Sequence, residues 1–133
     1  MKALAKSPFV TCTLQAVGYL ALALALGLWA ANLARSNTQG EFTPPLDDTY
    51  IYLQYARSAS QGAPLEYQIG ESPTRGATSL LYPFLLAPFV PLTSPNGLVW
   101  VAWAYGVLFL GLLAWLTHRF AVSLDLPGWP LGL

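Results

Sequence analysis

The stretch SPFVTCTLQAVGYLALALALGLWAANLA, residues 7–34, carries no charged side chain. About 20 consecutive apolar residues match the roughly 30 Å hydrocarbon thickness of a bilayer, so this run is long enough to cross one with some tilt. Lys2 and Lys6 precede it, as in a secretory leader. A leader's apolar core is only about 7–15 residues, however, and this run is much longer. A retained first span over 9–34 is expected, after a short N-terminal segment 1–8.

The whole chain agrees with that reading. Of its 133 residues 55% are hydrophobic and only 9% are charged, against roughly 25% charged in soluble domains. The formal net charge is zero, which gives no basic footprint for nucleic acid. Cys12 has no second cysteine to pair with, and it reads as a packing or lipid-facing residue at the start of the first run.

Two further apolar runs follow. Residues 78–92 are punctuated by Pro83, Pro88 and Pro91 and read as a short, kinked second span. Its freed carbonyls need neighbours to satisfy them. Residues 97–117 read as a third span, with Trp100 and Trp103 near its start and Trp115 near its end. His118 and Arg119 close it, where cations suit a helix C-terminus. Small-residue spacings (Ala21–Ala25, Ala23–Gly27 and Ala102–Gly106) are candidate helix contacts. The fold class expected is an all-α integral membrane protein of about three spans, ending in a C-terminal segment 118–133 that reads as truncated. Basic flanks stay inside, so the N-terminus is placed in the cytoplasm of a bacterial inner membrane. The loop 35–77 then lies outside, the 93–96 turn inside and Arg119 outside.

The loop holds five of the six acids, Glu41, Asp47, Asp48, Glu66 and Glu71. Asp47 and Asp48 stand side by side at the start of a helix pattern over 48–61, with Gly62 as its stop. Ile51, Tyr55 and Ala59 on one face, with Tyr52 and Ala56 close by, suggest a helix lying on the membrane surface, with Arg57, Gln54 and Ser58 covering much of the rest. A small hairpin fits the segment 65–70. An Asp in the hydrocarbon centre costs about 2.5–3.5 kcal/mol, so an adjacent pair belongs in the interface or in water.

Neighbouring carboxylates on a helix point about 100° apart, so one Asp can cap while the other projects. Capping is the plain reading. A general base toward a hydroxyl is the chemical one, and oxygen ligands for a divalent cation are a third. Arg57 and Arg75 are the loop cations suited to a phosphate, through bidentate guanidinium geometry. Their plainer roles are interfacial anchors or ion pairs with Glu66 and Glu71. Free amides near Thr78–Ser79 would add an anion-binding helix end. His118, the only histidine, reads as an interfacial helix end rather than a base.

Taken in order, the blocks are a first span, then DDTYIYLQYAR (47–57), LEYQIGE (65–71) and RGATSLLYP (75–83). This series resembles the first extracytoplasmic loop of GT-C type membrane glycosyltransferases, above all bacterial mannosyl- and arabinosyltransferase-like members. The resemblance covers about residues 10–92. It implies transfer of a sugar from a polyprenyl-phosphate carrier to an extracytoplasmic acceptor hydroxyl. Asp47 or Asp48 would be the catalytic base, Arg57 and Arg75 would face the carrier phosphate, and a divalent cation would sit nearby in some members. Gln68–Ile69 stands where such loops usually carry Asn-Pro, and Arg75–Ala77 departs from a usual Glu-Gly-Tyr. Enzymes of this type have many more spans, so the chain reads as an N-terminal portion, inactive alone, that needs further spans or partner helices. The rival reading is a small non-enzymatic membrane subunit packed in a larger complex. A membrane-anchored module that binds a lipid-linked sugar without turnover is the third.

Overall fold

The computed structural model describes residues 8–44, 48–74, 76 and 78–124. Four helices follow in order: α1 (Pro8–Asn37), α2 (Asp48–Ser60), α3 (Leu81–Leu86) and α4 (Pro95–Ser123). A 3-10 segment, Ala87–Leu92, continues α3. The described residues contain no strand, so the all-α class holds and turns occupy 65–70 where a hairpin was expected. Two of those turns are closed by Glu66 N–H to Ala63 O and by Glu71 N–H to Gln68 O.

Two helices are long and apolar enough to cross a membrane. At 1.5 Å per residue α1 and α4, of 30 and 29 residues, are each roughly 44 Å long, against about 30 Å of hydrocarbon. Both exceed their expected bounds, for local reasons. Ser94 caps α4 by accepting the Gly97 N–H at 3.1 Å, and Pro95 takes the first helical position, where its missing N–H costs nothing. α1 runs on until Gln39 and Gly40 turn left-handed (φ +55° and +98°) and the Gly40 N–H returns to the Arg35 carbonyl.

The stretch expected as a second span is not a third such helix. Its twelve residues form six of α-helix and six of 3-10 helix, roughly 21 Å in all. Pro88 and Pro91 have no N–H to donate, so the α-ladder cannot continue through them and the chain tightens.

The residues group into two compact units, to which α1 and α4 both contribute. In the first, residues 8–30 meet residues 105–124. Gly111 lies on Leu20 and Ala23, while Gln15 and Tyr19 share a cavity with His118. The lower numbers of one helix therefore meet the higher numbers of the other, which makes the pairing antiparallel. Ala23 and Ala121 are buried at this seam; Leu22, Leu24, Leu26, Leu28 and Trp29 face outward, as do Leu110, Leu113 and Leu116. Of the small-residue spacings, Ala23 and Ala102 are buried while Ala21 and Ala25 are exposed. Cys12 is half-buried.

The second unit, Ala31–Ala104, is built around α2. Leu53, Tyr55, Ala56 and Ser58 are buried in it, and α3 with its 3-10 extension packs against them. Ser58, expected on the polar face, is 1% exposed and donates to the Tyr67 carbonyl at 3.3 Å. Gln54 donates to the same oxygen at 3.0 Å. α2 is thus enclosed by its own loop along much of its girth. Gly62 ends it in the left-handed region (φ +85°), with Gly62 N–H to Ala59 O and Ala63 N–H to Ser58 O, the double closure expected of a glycine stop.

Candidate functional site

Asp48 is the first residue of α2 and is exposed. Asp47, its partner in the expected acidic pair, lies outside the described residues, as does Arg75. Arg57 sits in the last turn of α2 and is half-buried. Nine residues separate it from Asp48, which places the two on opposite faces of the helix and roughly 13 Å apart along its axis. The helix therefore separates the base candidate Asp48 from the phosphate candidate Arg57.

Arg57 instead shares a cavity of about 530 Å³ with Arg35, Glu41, Tyr50, Asn96 and Trp100. Arg35 stands in the last turn of α1, and its Nε donates to the Gly40 carbonyl at 3.1 Å. Among the described residues no hydrogen bond or ion pair engages the Arg57 guanidinium. Glu66, one of the expected ion-pair partners, accepts the Gly70 N–H through Oε2 at 2.8 Å. Phe42 and Trp100 stack with ring centres 4.2 Å apart on the same cavity.

The anion-binding helix end expected near Thr78–Ser79 does not form there. α3 starts at Leu81, is six residues long and has no side-chain cap at Leu80, so few free amides point in concert. Thr78 bonds the Tyr52 hydroxyl instead. Tyr55, 4% exposed, joins the Thr74 hydroxyl and accepts the Gly76 N–H at 3.1 Å. The edge of the Tyr82 ring meets Tyr52 at 5.5 Å, and its hydroxyl donates to the Ala102 carbonyl at 3.0 Å. Beside this network lies a second cavity of about 430 Å³, whose walls include Tyr55, Thr74, Thr78, Leu80 and Phe84.

His118 is not at a helix end. It lies five residues before the end of α4, is 3% exposed and rests against Tyr19 at 5.6 Å between ring centres. Its Nδ1 has no hydrogen-bond partner among the described residues. Among the described residues no three His, Cys, Asp or Glu side chains gather as metal ligands.

Arg35 and the tyrosine–threonine network are absent from the sequence expectations. Arg35 reads as the flank of a span, and hydroxyl pairs 19 and 26 residues apart leave no periodic trace. The arrangement offers an exposed carboxylate at the start of α2 and, along the helix from Tyr50 to Arg57, a cavity lined by two guanidinium groups. No family model matches the chain, and no similar curated protein or solved structure was found for it.

Proposed function

We propose that the chain is the N-terminal portion of a GT-C-like membrane glycosyltransferase, in which α1 and α4 cross the bilayer as an antiparallel pair. The transferase reading is supported by the ordered blocks DDTYIYLQYAR, LEYQIGE and RGATSLLYP after the first apolar run, and the paired crossing by Arg35, at the end of α1, and Asn96, at the start of α4, lining one cavity. The connection 38–94, with its acids, then stays on one side of the membrane. Lys2 and Lys6 fall on the opposite side together with Arg119, the distribution that the positive-inside rule favours for the cytoplasm. α3 and its 3-10 extension lie against α2 at the extracytoplasmic face rather than crossing.

In the reaction the acceptor hydroxyl oxygen attacks the anomeric carbon of the lipid-linked sugar. Asp47 or Asp48 takes the hydroxyl proton, and the sugar–phosphate C–O bond breaks with its electron pair leaving on the phosphate. Of the two arginines assigned to the carrier phosphate, Arg75 is the one left to offset the charge that develops there, because α2 carries Arg57 to the face opposite Asp48. The two aspartates also offer the oxygen donors a divalent cation takes. In the full-length protein, Asp47→Asn and Asp48→Asn are compared for transfer and for membrane insertion. Loss of transfer with normal insertion is expected from at least one. Wild-type transfer by both single variants and by the double variant would sink the assignment.

A second reading, a small non-enzymatic membrane subunit, draws on the outward leucines of α1 and α4. Recovery of the chain in a fixed stoichiometry with a larger membrane complex that lacks transferase activity would favour it.

A further inference from the structure

The described wall of the cavity between Arg35 and Arg57 brings together two guanidinium groups and one carboxylate. We infer that it binds the phosphate group of a membrane lipid, with the lipid's apolar part running along Trp100 and Phe42. Arg57 makes no hydrogen bond or ion pair among the described residues. Arg35 spends one N–H, through Nε, on the Gly40 carbonyl. A guanidinium has five N–H donors, so four on Arg35 and five on Arg57 have no acceptor among the described residues. Among the described residues of the wall Glu41 supplies the one carboxylate, which leaves these residues an excess of one positive charge.

The wall also includes Asn96 in the first turn of α4. Gly97 and Leu98 give their N–H groups to Ser94, whereas that of Asn96 belongs to the first turn and has no acceptor within the helix. A 29-residue helix adds a favourable dipole for an anion at that end. The cavity, about 530 Å³, falls within the range of small-molecule sites.

The lipid identity rests on the reading that α1 and α4 cross the bilayer. Arg35 ends one of these helices and Asn96 begins the other, so the cavity lies at headgroup depth. The Phe42–Trp100 stack is the kind of aromatic surface that sits at that level. A phosphodiester with an acyl tail and a polyprenyl phosphate present the same chemistry to the two guanidiniums.

The test uses the whole chain in dodecyl maltoside, titrated with dioctanoyl phosphatidylglycerol, with a polyprenyl phosphate and with inorganic phosphate, and followed by ³¹P NMR. Saturable binding of either lipid is expected. R35Q and R57Q each weaken it by roughly tenfold or more, the size expected for losing charge-assisted hydrogen bonds. R119Q leaves it unchanged. Whichever lipid binds more tightly identifies the source. Should R57Q lose its helical signal, R57K decides, because it keeps the charge and loses the bidentate fork. Weaker binding by R57K supports the site, and wild-type affinity overturns it. Unchanged lipid affinity in the folded R35Q/R57Q protein overturns it, as does inorganic phosphate binding as tightly as either lipid. Transfer that survives Asp47→Asn and Asp48→Asn while lipid binding still needs Arg35 and Arg57 would end the transferase reading and leave this site standing.

Discussion

Gly111 lies against Leu20 so closely that a methyl group placed on it would come within 2.7 Å of a Leu20 side-chain carbon and 3.1 Å of the Leu20 Cα. The side chain can rotate away, but the backbone atom cannot. In a bilayer, lipid tails are as apolar as leucine, so helices associate through close packing of this kind rather than through water exclusion.

Gly111→Ala is therefore expected to loosen the α1–α4 pair by about 1–3 kcal/mol, the usual range for overpacking. Gly106→Ala is the matched control, because a methyl group there meets nothing within 4 Å. Thermal loss of helical signal in detergent compares them. Equal stability of the two variants would contradict the close packing at Gly111.

The proposed crossing by α1 and α4 alone would put Ser60 and Ser94 on one side of the membrane and Leu124 on the other. Single cysteines introduced at these positions in a C12A background report this through an impermeant maleimide, applied to intact and to inverted vesicles. Ser60 and Ser94 are expected to label together. A crossing at 78–92 would separate them.

Tyr55→Phe removes the acceptor of the Gly76 N–H and the partner of the Thr74 hydroxyl. The expected cost is about 1 kcal/mol, the usual net worth of a hydrogen bond with solvent near enough to compensate. Amide exchange at Gly76 is expected to quicken while exchange in the centre of α4 keeps its wild-type rate.

His118 buries an Nδ1 that lacks a partner, and a buried unsatisfied polar atom costs roughly 1–3 kcal/mol. His118→Phe keeps a ring against Tyr19 and discards that atom. It is expected to match or exceed wild-type thermal stability, and a clear loss would mean that the imidazole is bonded after all.

Sequence and structure agree where the signal is local. The 7–34 run is longer and more uniformly apolar than a soluble helix needs, and α1 follows. Asp48 and Gly62 mark the limits of α2, because an acidic first turn and a left-handed glycine stop act over four or five residues. The 78–92 run is different. Its apolar content suits a span and a segment packed on a protein surface equally, and only the tightening at Pro88 and Pro91 and the docking of Pro83 and Leu86 on α2 separate the two. Ser58 departs from its expected place on the polar face, and Tyr55 packs against protein rather than lipid headgroups, for the same reason, since what encloses α2 comes from residues 63–92.

Composition and run length by themselves determined that the chain is helical, poor in charge and equipped with long apolar helices, because hydrophobicity and helix propensity add up along contiguous residues. The tertiary structure alone decided that Arg57 keeps company with Arg35 rather than with Asp48. Arg35 and Arg57 line one cavity because the Gln39–Gly40 turn ends α1 beside α2, whereas the helical twist carries Asp48 and Arg57 to opposite faces. The chance that two distant side chains share a cavity depends on where the chain turns and what packs between the turns, and no local sum of residue preferences contains that information.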